Sequence, residues 1–263
     1  MVVINGWEYT KAAIDSIKTK HKYKLRIIDQ ESSDGTQDRC RDEGIECHRF
    51  SPRVSLSEAW NFSIQESLRD PECEYIFFPN NDVLFHKSTI DNLTDSLDKT
   101  GYAMVTGNNL APLFQGRIDE FKRHVVNPED EKHDMRPITN WREEGPDFSC
   151  PMITPQTIKD VGYFDENFYP AFYEDNDYHL RIIRAGKHAK RIVRAPYYHY
   201  GSMTVRLNPG LDLGSHRTVG VFMNKWGTTP PECMDGKGNL YPYNDSTKNH
   251  KFWKGCEKYE DGL

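Results

Sequence analysis

Through its first half this chain alternates short β-like runs with helical patterns, and that alternation allows few folds other than a parallel sheet wrapped by helices. Val2 to Ile4 read as a strand, followed by a helix carrying Ala12, Ala13, Ile14 and Ile17. A second strand, Tyr23 to Ile28, stops in the polar stretch Asp29-Gln-Glu-Ser-Ser-Asp-Gly-Thr36. A strand from Ile45 to Phe50 and a helix from Leu56 to Leu68 come next, then an apolar run, Tyr75 to Phe78, that stops at Pro79-Asn80-Asn81-Asp82. The second and fourth strands thus break into polar turns on one edge of the sheet, and open α/β sheets bind ligands at strand carboxyl ends.

Beyond residue 85 the pattern predicts a helix over Ile90 to Leu97, a strand over Ala103 to Val105 and regular structure over Gln156 to Val161. The stretch Arg117 to Asp147 is polar and poorly periodic, which suits loops, short strands or an insertion. Asp177 to Ala185 reads as a helix with Leu180, Ile182 and Ile183 on its apolar side and Gly186 as its C-cap. Val221 to Trp226 makes a last helical turn or two before a tail rich in Gly, Pro, Asn and Lys.

Composition narrows the function. With 37% hydrophobic residues in 263, the chain can bury one large core. Its net charge of -6, without a long basic run, argues against a nucleic-acid partner held by phosphate contacts. No apolar stretch approaches the ~20 residues of a membrane helix, and the N-terminus shows no secretory pattern, so the expectation is a soluble, cytoplasmic protein without a transmembrane segment. The six cysteines include no C-x-x-C pair. Phosphate-loop, dinucleotide-loop, zincin-helix and nucleophile-elbow motifs are all missing, which removes the main support for ATPases, common dehydrogenases, zinc proteases and α/β-hydrolases.

Four groups of side chains could carry chemistry. Asn80-Asn81-Asp82, at the end of a buried strand, is either a plain polar turn or an oxygen-rich site for Mg²⁺ or Mn²⁺, which would neutralise a diphosphate. Glu174-Asp175-Asn176-Asp177 opens a helix: Asp175 suits an N-cap and Asp177 suits an ion pair with Arg181, or one carboxylate serves as general base toward a hydroxyl. His199, among tyrosines, is either packed and hydrogen-bonded or the nitrogen ligand of a metal otherwise held by oxygen. Asp29 either caps the turn it begins or accepts a hydrogen bond from a nucleobase imide.

The ordered set of motifs resembles the family-2 inverting glycosyltransferases of the GT-A fold, especially the rhamnosyltransferase-like branch. Asp29 to Thr36 is similar to the family's D-D/N-G-S-x-D-G-T turn, and Asn80-Asn81-Asp82-Val83 stands where D-x-D belongs. Val161-Gly-Tyr-Phe-Asp-Glu-Asn-Phe168, followed by Tyr173-Glu-Asp-Asn-Asp177 and Arg181, matches V-G-x-F-D-E-x-F … E-D-x-D … R. His199-Tyr-Gly-Ser202 and Lys225-Trp-Gly227 follow in the expected order. Asn80 replaces the first D-x-D aspartate, and Trp60 takes the arginine position of the family's frequent A-R-N.

The resemblance implies a single GT-A (Rossmann-like) α/β domain over residues 1–227, with a mixed, mainly parallel sheet flanked by helices. Residues 1–110 would form its nucleotide-binding half, 111–227 its acceptor and catalytic half, and 228–263 a C-terminal extension. It implies a metal-dependent transfer, with inversion, from a nucleotide-diphosphate sugar, by preference a UDP-sugar, to a hydroxyl of a glycan or small molecule. Asn5, Trp7, Asp29, Asn61, Asn80 and Asn81 would bind substrate, Asp82 and His199 would hold Mn²⁺ or Mg²⁺, and Asp175 would be the base with Glu174 beside it. The rivals are a sugar nucleotidyltransferase and a non-catalytic nucleotide-sugar or glycan binding module.

Overall fold

The computed structural model describes residues 1–114 and 148–227, and its first fifty residues close the expected alternation into a three-stranded parallel sheet. Strands β1 (Val2–Val3), β2 (Arg26–Gln30) and β3 (Glu46–Phe50) lie in that order, joined by helices α1 (Trp7–Asp15) and α2 (Thr36–Asp42). The register sets Val3 opposite Asp29 and Asp29 opposite Arg49. Neighbours at one level of a parallel sheet project to the same face, so an aspartate and an arginine twenty residues apart meet as an ion pair.

The remaining elements are α3 (Leu56–Leu68), β4 (Ile76–Phe77), β5 (Val83–Phe85), α4 (Thr89–Thr100), β6 (Met104–Asn109), α5 (Ala111–Phe114), β7 (Pro151–Ile153), α6 (Pro155–Val161), α7 (Glu174–Arg184), β8 (Ala189–His199), α8 (Met203–Leu207) and α9 (Ser215–Trp226). Their strands form a second, mixed sheet in the order β4-β7-β6-β8-β5, in which β6 and β8 run parallel and the other three pairings are antiparallel. Parallel pairing is thus concentrated in the N-terminal sheet. β4 and β5 stand at opposite edges of the second sheet, so the five residues between them must cross its end. Backbone bonds track that crossing: Phe78 N donates to Pro151 O, Asn80 N to Ser149 O, and Tyr200 N to Asp82 O.

One core joins the two sheets: Val3, Trp7 and Ile27 pack in the same cluster as Val83, Phe85, Val105, Met152, Ile192 and Tyr197. α3 runs over the residues the periodicity predicts, with Ser55 Oγ accepting the Glu58 N–H at its N-terminus. Other elements differ from expectation. β5 and β7 are three residues each, too short for a periodic signal, and form because longer neighbours pair with them. α7 begins at Glu174, three residues before the sequence pattern does, and its N-cap is Tyr173 in a left-handed conformation, so Asp175 lies inside the first turn and is not the N-cap. α9 starts at Ser215 instead of Val221, released by Gly214 at φ +67°. The polar stretch 117–147 and the tail from Thr228 lie outside the described residues.

Candidate active site

At the end of β1 the backbone turns sharply through Asn5 and Gly6, both at positive φ. The turn aims the Asn5 side chain at the Asp29–Thr36 loop: its Oδ1 accepts the Ser33 and Asp34 N–H groups at 2.7 and 3.1 Å, and its own N–H reaches Ser32 Oγ at 2.8 Å. Asn5 Nδ2 donates to Asn208 Oδ1 at 2.5 Å, which brings in the segment after α8. Asp34 completes the loop by accepting from Trp7 N at 3.0 Å and from Thr36 Oγ1 at 2.6 Å. Burial raises the Asp34 carboxyl, but these bonds from Thr36 and Trp7 outweigh it and hold it below the usual carboxylate range.

The second group forms where the β4–β5 crossing meets the end of β8. Register places Val83 opposite His199, and the residue before Val83 is Asp82. Its Oδ1 lies 3.0 Å from His199 Nε2, and its Oδ2 accepts the Met203 N–H at 3.3 Å. His199 Nε2 is also 3.4 Å from Asn80 Nδ2, and Nδ1 is 3.0 Å from Ser149 Oγ. A hydroxyl both donates and accepts, so Ser149 satisfies either imidazole tautomer. Burial pushes the Asp82 carboxyl up, yet the hydrogen bond and charge of His199 prevail and leave it below its ordinary value. The result is an ionised carboxylate touching an imidazole nitrogen, with an amide beside them.

The third group opens α7. Glu174 is buried at 4% exposure and its Oε2 has no hydrogen-bond partner. Desolvation, and after it the neighbouring charge of Asp175, raises the Glu174 carboxyl well above its ordinary value. Asp175 is partly exposed and accepts the Asn176 N–H at 2.8 Å. Two adjacent carboxyl groups therefore meet different surroundings, Glu174 buried with Oε2 unpartnered and Asp175 partly exposed beside a helix N-terminus.

The structure brings Asn5, Asn80, Asn81, Asp82 and His199 to the region bordered by the 200–208 segment and buries three other residues expected to bind substrate. Trp7 is 5% exposed and its ring packs in the core, so it shapes the site from behind. Asp29 is fully buried, with Oδ1 accepting the Ser32 N–H and Oδ2 paired with Arg49, so both oxygens serve the turn. Asn61 uses its amide to tie α3 to the loop before α7, accepting from Phe164 N and donating to Phe164 O and Glu166 Oε1. Asn81 is also buried, with Nδ2 on Thr10 Oγ1 at 3.0 Å. Sequence reasoning missed Arg49 and Asn208; only strand register and the chain's return to the N-terminal sheet bring them in.

Comparison with known proteins agrees with this architecture. The model of the family described as Glycosyl transferase family 2 matches residues 1–159. A Leishmania donovani protein described as a galactofuranosyl glycosyltransferase is 39% identical over 67 residues, which are 26% of this chain and 14% of that protein. Among solved structures, GalNAc-T7 with UDP, GalNAc and Mn²⁺ aligns at a TM-score of 0.62 and 12% identity, covering 97% of this chain and 53% of its own. A mannosyltransferase from Pyrobaculum calidifontis in complex with GDP-Man and Mn²⁺ aligns at 0.54 and 14% identity, covering 75% of this chain and 55% of its own. The chain thus spans about half the length of either solved structure, and at these identities the likeness is one of fold.

Proposed function

Because this chain belongs to glycosyl transferase family 2, we propose that it moves a sugar from a nucleotide-diphosphate sugar, by preference a UDP-sugar, to a hydroxyl of a glycan or small molecule, with inversion. The observation that carries this reading is the contact of Asp82 with His199, 117 residues apart in sequence and 3.0 Å apart at the end of the mixed sheet. One anionic oxygen, one imidazole nitrogen and the nearby Asn80 amide suit a divalent cation, Mn²⁺ or Mg²⁺. Among the described residues no third His, Cys, Asp or Glu completes such a group, which fits a cation whose remaining ligands are donor phosphate oxygens. When bound, that cation would neutralise the departing diphosphate.

The chain's own groups do the rest. Asn5 and Asp34 hold the 29–36 loop in one shape at the carboxyl end of β2, where a nucleotide would lie. Asp29 acts through this loop, with Arg49 keeping its charge compensated inside the sheet. Asp175, partly exposed, takes the proton of the acceptor hydroxyl as that oxygen attacks the anomeric carbon and the bond to the diphosphate breaks. Glu174, buried beside it with its carboxyl raised by desolvation, is less suited than Asp175 to take that proton. A single displacement of this kind inverts the anomeric centre. The motif order supports a place near the rhamnosyltransferase-like branch, and the short likeness to a galactofuranosyl glycosyltransferase supports a hexose donor.

Thermal-shift titration of nucleotide sugars with and without Mn²⁺ tests the reading, since a ligand selective for the folded state raises Tm. A Mn²⁺-dependent shift with one donor class, lost in Asp82→Ala, is expected. Full metal-dependent binding by Asp82→Ala would remove this site from the mechanism.

A further inference from the structure

The motif Lys225-Trp226-Gly227 lies far in sequence from the proposed base, yet its side chains end beneath the helix that carries it. Lys225 is completely buried, and its Nζ donates to Asp165 Oδ2 at 2.6 Å and lies 2.8 Å from Asp177 Oδ1. Trp226 Nε1 donates to the same Asp177 oxygen at 2.9 Å, while Asp177 Oδ2 accepts from Arg181 Nε at 2.9 Å. Asp165 Oδ1 accepts from Asn167 N at 3.0 Å and Asn167 Nδ2 at 2.7 Å, and Arg181 Nη1 reaches back to Val161 O at 3.0 Å. Two carboxylates face two cations, so charge balances inside the protein. The network ties α9, α7 and the Val161–Asn167 loop together, over an apolar contact made by Phe168, Leu180, Phe222 and Trp226.

Apolar packing sets how far apart two helices lie but only weakly fixes their rotation, whereas directed hydrogen bonds to one carboxylate do fix it. Asp177 has both oxygens claimed from the interior. At 3.6 residues per turn, Asp175 lies about 200° around the helix from Asp177, whereas Glu174 lies only about 60° away. Locking Asp177 inward therefore turns Asp175 outward and keeps Glu174 buried, which is what their exposures show. An external lock is needed here because Phe172 and Tyr173, which lead into the helix, sit at φ +77° and +68°, an unfavourable conformation for non-glycine residues. A buried ion network is a weak source of stability, and its better-attested use is to specify one arrangement over others.

We propose that Lys225 and Trp226, with Asp165, are positioning residues that fix the rotation of α7 and so present Asp175 to the acceptor hydroxyl. This rests on the reading of Asp175 as the base. Lys225→Ala alone would strand two buried carboxylates and is a poor test, because it risks unfolding. Two milder variants suit better: Trp226→Phe, which removes one donor and keeps a ring, and the charge-balanced pair Lys225→Met with Asp165→Asn. Both are compared with wild type for UDP binding in Mn²⁺, UDP release from UDP-galactose and UDP-glucose, and amide hydrogen exchange.

UDP affinity should stay within about twofold while kcat falls roughly 10- to 100-fold, since a small misplacement of a reacting group costs rate and not binding. Adding Trp226→Phe to Asp175→Asn should bring no further loss, because residues acting through one another are non-additive. Exchange at residues 174–178 should quicken while α4 is unchanged, a readout that needs no donor. A lowered Tm with unchanged kcat, or an exchange increase shared equally with α4, would overturn the proposal. Normal turnover by Asp175→Asn would instead overturn the reading on which it rests.

Discussion

Glu174 and Asp175 are one residue apart, and the difference in their surroundings assigns their work. Asp175→Asn preserves shape but removes the proton acceptor, so transfer should fall about 10²–10⁴-fold with donor binding retained, as measured by kcat and by donor titration. Glu174→Gln should lose less rate. Its stability should also change with pH in a definite direction. Glu174 has a folded pKa raised above its unfolded value, so the stability it contributes is complete below the unfolded pKa and is lost as pH rises through the folded one. Glu174→Gln escapes that loss, and its Tm should climb relative to wild type from about pH 4 toward pH 8. A constant Tm difference across that range would show that Glu174 is not held in its protonated form.

At the scale of elements, the site depends on how β8 is registered against its neighbours. The β6–β8 pairing shifts between Thr106 and Asn108, and Gly107 sits at that irregularity. A Cβ at Gly107 would lie 2.7 Å from the Tyr197 ring, 2.9 Å from Ala195 O and 3.0 Å from Cys150 Sγ, and the carbonyl has nowhere to go. Gly107→Ala should therefore cost about 1–3 kcal/mol in denaturant unfolding, and it should also weaken metal-dependent UDP binding, because His199 stands at the end of the displaced strand. An unchanged midpoint in urea would mean that β8 accommodates the methyl group elsewhere. The N-terminal sheet behaves similarly: parallel register turns Asp29 and Arg49 into a pair that stiffens the loop expected to receive the nucleotide.

For the molecule as a whole, the candidate site is shared between the two sheets, joined by a common core and by the 200–208 segment, which touches Asn5 through Asn208 and Asp82 through Met203. Donor binding should therefore stabilise the entire fold. A donor at a hundred times its Kd adds about 2.7 kcal/mol, and chelation of the cation should remove most of that gain, a comparison readily made by calorimetry. Much of this was legible in the amino-acid order. The alternation of strands and helices, the polar breaks at 29–36 and 79–82 and the acidic opening of α7 follow from local periodicity and turn chemistry, which need only neighbouring residues. The pairing of Asp177 with Arg181 was readable for the same reason, since the two lie one helical turn apart. Motif order, through the family resemblance, also paired Asp82 with His199, whereas the burial of Trp7, Asp29 and Asn61, the contact of Ser149 with His199, and the lock that Lys225 and Trp226 place on α7 were decided by tertiary structure alone. Each depends on strand register or helix rotation between segments distant in the chain, and these are set by how the whole core packs, which no local window of sequence encodes.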